Sequence, residues 1–209
     1  MGENGLELNK ARKMAKIFEW RAEDLDRERK DLKEKSGTDS LTGLLNRRAF
    51  ETRARAVLTG LSRTMREVDK LLPRNVGIIV GDIDYFKSIN DTLGHQEGDR
   101  VLKDVARTLK SGVRSEDIVA RWGGEEFMVL IVDGSKEQIK GIAEMLRKAV
   151  ERLEIQVKGR PVTMSFGYDE VKSADDFEAA IARADKALYR AKENGRNRVE
   201  TLQPVSEAA

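Results

Sequence analysis

Apolar positions recur along this chain in two rhythms, and the change between them divides it. Within residues 6–35, Ala11, Phe18, Leu25 and Leu32 stand seven apart, the spacing of a helix that packs along a seam. Met14, Arg21 and Glu28 hold the complementary positions, two of them charged; moving that second set by one residue gives Ala15, Ala22 and Arg29, which serves as well. The stretch contains neither Gly nor Pro. Two arrangements fit it: a solvated helix packed on its own domain, or a marginal parallel dimeric coiled coil. Ser36-Gly37-Thr38 ends it.

After residue 36 the pattern alternates between helical and strand periods. Phe50, Val57, Leu58, Leu61, Met65, Val68 and Leu72 share one helical face, and Pro73 stops that helix. Val76-Gly77-Ile78-Ile79-Val80-Gly81 is a short apolar run that predicts a strand buried on both faces. Val101, Leu102, Val105, Ala106 and Leu109 mark the next helix. Residues 118–122 and 125–132 predict two strands joined by Gly123-Gly124, a pair suited to a tight hairpin turn because both positions tolerate positive φ. A helix over 136–153 and a strand over 162–166 follow. Phe177, Ala180, Ile181, Ala184, Leu188 and Ala191 give a last amphipathic helix, which Asn194-Gly195 terminates. Val199 opens a final edge strand, and residues 203–209 form a polar, disordered tail. The hairpin among crossover helices predicts an α+β fold with a mainly antiparallel central sheet wrapped by helices over 37–202, preceded by a coiled-coil helix over 1–36.

Composition removes several kinds of chemistry. The 209 residues include no cysteine, so disulfides, thiol nucleophiles and thiolate metal sites are excluded. The one histidine, His95, cannot build a multi-His zinc site. Lys plus Arg (39) nearly balances Asp plus Glu (37). That balance speaks against a nucleic-acid partner and leaves room for a local basic pocket. No window approaches the roughly 18 apolar residues of a membrane span, and the first ten residues lack an apolar signal region. A cytoplasmic protein without membrane insertion is the expectation.

Four groups of residues then carry candidate chemistry. Asp82 and Asp84 stand two apart at the end of the buried run, hence on one face of a strand. Two carboxylates there repel and lose hydration unless a cation or hydrogen-bond donors compensate, and hard divalent cations suit such oxygens. Alternatively Asp84 caps a helix starting at Tyr85, and Asp82 is a solvated strand end. Glu125-Glu126 follow the Gly-Gly pair; they are either a polar hairpin tip or carboxylates brought beside Asp82. Lys87, Lys192 and Arg196 are cations suited to a polyphosphate, or simply solvated. Asn90 and Asp99 can read a guanine edge, or act as caps and turn residues.

Together these stretches resemble the diguanylate cyclase family, known by its GGDEF signature. Arg121-Trp122-Gly123-Gly124-Glu125-Glu126-Phe127 matches that signature in its GGEEF form. Asp39-Ser40-Leu41-Thr42-Gly43-Leu44-Leu45-Asn46-Arg47-Arg48 looks like the family's opening motif. Asp82 to Asp91, Gly94 to Asp99, Ser165-Phe166-Gly167, and Ala184 to Lys192 with Gly195-Arg196-Asn197 resemble its later motifs, in order.

The resemblance implies a nucleotidyl-cyclase or palm-like, ferredoxin-like fold. It also implies condensation of two GTP into cyclic di-GMP and two pyrophosphates by a two-fold homodimer, paired through the N-terminal coiled coil. By the same resemblance Asp82 and Glu125, with the Ile83 carbonyl, would hold Mg²⁺, or Mn²⁺ in its place. Glu126 would be a second carboxylate or the base for the 3′-hydroxyl. Asn90 and Asp99 would read guanine, and Lys87, Lys192 and Arg196 would bind phosphates. Arg114-Ser115-Glu116-Asp117 matches the family's R-x-x-D inhibitory site at its spacing from Gly123, which implies feedback by cyclic di-GMP bound at Arg114 and Asp117, with Arg147 as a third contact. A catalytically silent receptor for GTP or cyclic di-GMP is the alternative.

Overall fold

Eight consecutive residues, Val76–Ile83, are buried without a break and form the central strand β2. A strand hidden on both faces needs neighbours on both edges and layers above and below, and the computed structural model supplies all of them. It describes residues 21, 37–67, 75–157 and 159–202. The chain divides into two units at Thr38, and the fold below belongs to the second, from Asp39 onward. The expected helix over 1–36 with its coiled-coil seam, Val68, Leu72 and Pro73, and the tail from 203 lie outside the described residues.

The elements in chain order are β1 (Leu45–Asn46), α1 (Arg47–Glu67), β2, α2 (Phe86–Leu93), α3 (His95–Ser111), β3 (Ile118–Gly123) and β4 (Glu126–Val132). Next come α4 (Lys136–Glu151), β5 (Gln156–Val157), β6 (Arg160–Pro161), β7 (Met164–Val171), α5 (Phe177–Glu193) and β8 (Val199–Glu200). The main sheet has the order β1-β3-β4-β2-β7-β8, and β5-β6 form a separate small hairpin. The inner pairs β3–β4, β4–β2 and β2–β7 are antiparallel; the two-residue edges β1 and β8 pair parallel to β3 and β7. The inner four strands reproduce the ferredoxin-like split β-α-β order, so the α+β expectation holds.

Alternation along β2 sends Ile78 and Val80 to one face and Ile79 and Ile83 to the other. On the first face lie Phe50, Ala54 and Leu58 of α1 and Ala180, Ala184 and Leu188 of α5. On the second lie Val105 and Leu109 of α3 and Ile139, Leu146 and Val150 of α4. α5 comes very close to the sheet at Gly167, where an added Cβ would stand 2.0 Å from the Ala184 carbonyl oxygen. Among the described residues no helix is long and apolar enough to cross a membrane.

Several details depart from the sequence pattern. β7 runs on to Val171 rather than ending at Phe166, because Asp169, which looks like a polar break, is buried and paired with Arg183 of α5. α4 stops at Glu151, and its start is closed by a capping box between Ser135 and Gln138. The β3–β4 turn is centred on Gly124-Glu125 instead of Gly123-Gly124. Gly123 still pairs with Glu126, a bulge interrupts the register between Arg121 and Gly123, and Gly124 takes φ +46°. Glu125 is therefore a turn residue and Glu126 opens the strand.

Candidate active site

The register of the sheet builds the centre of the site. Asp82, in the last turn of pleat of β2, stands opposite Glu126 on β4 and Ser165 on β7. The Ile83 N–H donates to the Glu125 carbonyl at 3.4 Å, which closes the signature turn over the end of β2. Asp82 is buried, and its Oδ2 lies 2.9 Å from Lys192 Nζ on α5. Burial pushes its carboxyl up to about 6; the Lys192 ammonium opposes that rise, and the negative charges of Glu125 and Glu126 add to it. Among the described residues no three acidic or imidazole groups converge into a compact cage. The donor set nevertheless fits a hard divalent cation. It consists of carboxylate and carbonyl oxygens with an excess of negative charge at one strand end, which Lys192 partly offsets.

Asp84 behaves differently from its neighbour, and its expected role as a helix cap is not what the structure contains. α2 begins at Phe86; Tyr85 precedes it at φ +57° and no side chain caps the helix. The Asp84 carboxylate instead turns inward. Its Oδ1 accepts from Ser165 Oγ at 2.7 Å, and its Oδ2 from Thr163 Oγ1 at 2.7 Å and the Asn197 N–H at 3.0 Å. These donors satisfy a buried carboxylate, as burial of charge demands. Asp84 thus ties β7 and the segment after α5 to the end of β2.

The cations divide. Lys192 is paired with Asp82, as above. Arg196 lies with its guanidinium carbon 4.4 Å from the centre of the Tyr85 ring, and its Nη1 donates to the Lys192 carbonyl at 3.3 Å. Lys87 is exposed on α2. Asn90 and Asp99 fall on consecutive helices joined at Gly94. Asn90 Oδ1 lies so close to the α3 backbone that a Cβ on Gly98 would be 1.8 Å from it, which sets the amide beside the residue preceding Asp99.

One brace escaped the sequence reading although both its ends lie in quoted motifs. Arg121 donates from Nε and Nη2 to the Gly124 carbonyl at 2.8 and 2.7 Å, and from Nη1 to Asp39 at 3.2 Å. Asp39 also accepts from the Thr42 N–H and hydroxyl. Burial works against its ionisation, but Thr42 and Arg121 outweigh that and hold the carboxyl below its usual range. No local spacing links positions 82 residues apart.

At the expected inhibitory site, Arg114 is exposed while Asp117 is buried. Asp117 accepts from the Arg114 N–H at 3.0 Å and the Val132 N–H at 2.9 Å, so it shapes the turn that presents Arg114. A cavity of about 500 Å³ adjoins it, lined among others by Leu44, Arg53, Lys110, Glu116 and Val119. Arg147 is engaged elsewhere: its guanidinium bonds Glu144, Glu151 and Asn197, and none of these belongs to the Arg114–Asp117 turn.

Residues 36–198 match the family model described as "Diguanylate cyclase, GGDEF domain". The diguanylate cyclase DgcP of Pseudomonas aeruginosa is 42% identical over 172 residues, covering 81% of this chain. This chain spans only 24% of that protein's length. The crystal structure of the GGDEF domain of DgcB from Caulobacter crescentus, in complex with c-di-GMP, is 31% identical with TM-score 0.70; the match covers 78% of this chain and 94% of that one. A structure of the coiled coil and GGDEF domain of the same protein is 29% identical with TM-score 0.69, covering 93% of this chain and 98% of that one.

Proposed function

This chain belongs to the GGDEF diguanylate cyclase domain family, and from that premise we propose that it condenses two GTP into cyclic di-GMP and two pyrophosphates in the cytoplasm. The observation that carries the reading is the pairing of Asp82 with Glu126 across β2 and β4, with Lys192 against Asp82 and the Glu125 turn beside them. This is an acidic strand end suited to a hard divalent cation, with a lysine beside it that can meet a phosphate.

In this reading Asp82, Glu125 and the Ile83 carbonyl hold Mg²⁺, or Mn²⁺. When bound, the metal lowers the pKa of the attacking 3′-hydroxyl and neutralises charge on the α-phosphate. Asn90 and Asp99 hold the guanine: the amide and the carboxylate match its acceptor and its N–H donors, which adenine does not offer in that arrangement. Lys87, Lys192 and Arg196 neutralise the triphosphate and then the departing pyrophosphate. Glu126, next to Asp82 across the strands, is the second carboxylate and the candidate to accept the 3′-hydroxyl proton.

Each domain binds one GTP, so the product needs two domains facing each other with two-fold symmetry. The helix over 1–36 is the proposed dimerising coiled coil; a coiled coil joined to a GGDEF domain exists in the DgcB protein of similar fold. Feedback is proposed at the exposed Arg114, with Asp117 holding its turn and the adjoining cavity receiving the ligand. Arg147 would join such a contact only by leaving Glu144, Glu151 and Asn197.

Incubation of the protein with GTP and Mg²⁺ over a range of protein concentrations, followed by chromatography of the nucleotides, tests the reading. Cyclic di-GMP rising more steeply than linearly with protein is expected of a dimeric cyclase. Absence of product from protein stripped of nucleotide, when that protein binds added cyclic di-GMP, would instead make this a receptor. Loss of feedback in Arg114→Ala is expected, and an unchanged inhibition constant would remove the inhibitory site from the proposal.

A further inference from the structure

The segment after α5 is held in an unfavourable conformation. Gly195, Arg196 and Asn197 take φ +110°, +65° and +46° in succession. Two adjacent non-glycine residues in the left-handed region persist only where surrounding contacts over-determine them. The contacts here converge on Asn197. Its backbone N–H donates to the Asp84 carboxylate at 3.0 Å. Its side-chain Oδ1 accepts from Arg147 Nη1 at 2.7 Å, and its Nδ2 donates to Glu151 Oε1 at 2.8 Å. Both ends of the amide are therefore used, and each end has a partner that cannot be exchanged for the other.

The socket that receives this amide is built on α4, across the sheet from the α5 side where Lys192 meets Asp82. Glu144, Arg147 and Glu151 lie on one face of α4, three and four residues apart. Arg147 bonds Glu144 through Nε at 3.0 Å and Glu151 through Nη1 at 3.1 Å. Its side chain is only 14% exposed, unlike a freely solvated surface arginine. The hydrogen bonds from Asn197 and Arg147 overcome a small burial cost and hold the Glu151 carboxyl below its usual range. With Asn197 in place, the socket is thus charged and fully hydrogen-bonded.

We infer that Arg147 and Glu151 are positioning residues for the phosphate-binding end of the site, acting through Asn197. The inference rests on the cyclase reading of Arg196 and Lys192. Arg196 immediately precedes Asn197, so the clamp on the amide sets the direction in which the Arg196 guanidinium leaves the backbone, over Tyr85 and against the Lys192 carbonyl. The same residue's N–H fixes Asp84 at the end of β2. One amide thereby couples α4 to the cation that would meet the triphosphate and to the carboxylate next to the metal-holding Ile83 carbonyl.

The test uses the full chain and reads three quantities: Kd for GTP with Mg²⁺, KM and kcat for cyclic di-GMP formation, and hydrogen exchange of the 194–202 backbone. Asn197→Asp keeps a residue that accepts the left-handed conformation but sets a carboxylate against Glu151. It should raise Kd and KM for GTP about tenfold, lower kcat by a smaller factor because Arg196 also meets the departing pyrophosphate, and accelerate exchange within 194–202 alone. Adding Glu151→Gln to that variant restores a donor facing an acceptor, and the double variant should recover to within about threefold of the parent. Arg147→Met should weaken GTP as Asn197→Asp does.

Unchanged Kd and exchange in Asn197→Asp, or a double variant no better than the single one, would overturn the inference. Should Arg147→Met fail to fold, the comparison of single and double variants at residue 197 decides alone. Parent protein that binds GTP without forming product would overturn the proposed reaction, while the Kd and exchange comparison would still judge the positioning role. Parent protein that binds no GTP would overturn both.

Discussion

Arg121 joins Asp39 to the signature turn: one guanidinium bonds the Asp39 carboxylate and, through two nitrogens, the carbonyl of Gly124. The turn that carries Glu125 is thus braced against the loop that opens the domain. Both side chains are largely buried, at 16% and 23% exposure, so water cannot easily replace either partner. Replacing Arg121 by Met should cost about 1.5–3 kcal/mol of stability. It should also lower turnover more than Asp39→Asn, since only the arginine variant frees the Gly124 carbonyl. Urea unfolding and kcat measured on both variants check this; equal losses of turnover would mean the turn does not depend on the arginine.

Lys192 neutralises Asp82 and is also the proposed phosphate cation, so its two roles compete. In Lys192→Met, Mg²⁺ without nucleotide should bind more tightly, because no ammonium has to be displaced from Asp82. GTP should bind about 10- to 100-fold more weakly through loss of a charge-assisted contact. Titration calorimetry with each ligand separates the two. Parallel weakening of both would show that Lys192 merely supports the fold.

Two glycines predict opposite failures under the same substitution. At Gly167 a Cβ would meet backbone, 2.0 Å from the Ala184 oxygen and 2.3 Å from the Leu188 nitrogen, so Gly167→Ala must lift α5 from the sheet. A loss of about 3 kcal/mol or more, or failure to fold, is expected. At Gly98 the Cβ would meet the end of a side chain, Asn90 Oδ1. Gly98→Ala should keep the fold, turn Asn90 aside, and erode the preference for GTP over ATP about tenfold. Thermal unfolding with competition binding of the two nucleotides distinguishes the outcomes.

Acid should weaken the far end of the domain through Arg183. This residue pairs with buried Asp169 and with Asp176, at 2.9 Å for the latter. The bond from Arg183 holds the Asp176 carboxyl below its unfolded value of 3.8, against a smaller cost of burial. A group whose folded pKa is depressed contributes stability that is present in full above the unfolded value and is lost as pH falls through the folded one. The urea midpoint of the parent should therefore drop below about pH 4, and the drop should be shallower in Asp176→Asn. Arg183→Met strands the Asp169 charge and should cost about 3–5 kcal/mol at neutral pH.

The alternating periods after residue 36 located the elements of six residues or more except α2, which entered only through Asp84 as a helix cap, because faces within a helix or strand are set by residues two to four apart. The spaced motifs identified the family for the same local reason: each is a short stretch whose backbone and side chains act together. Short elements escaped. β1 has two residues and the β5–β6 hairpin two in each strand, too few for any period. The end of β7 was missed because Asp169 reads as solvent-facing until Arg183 covers it.

What the tertiary structure alone decided is which distant groups meet. Asp82 and Asp84 look equivalent in the sequence, yet one faces Lys192 and the other is filled by donors 79, 81 and 113 residues away. Arg147 reads in the sequence as a helix cation and a third contact for cyclic di-GMP, and only the return of the chain after α5 brings Asn197, 50 positions on, into its reach. The physical reason is common to these cases. Spacing along the chain determines which face of an element a side chain takes, whereas the partner on that face depends on sheet order and register. Those follow from the burial of the whole core and from no single segment of it.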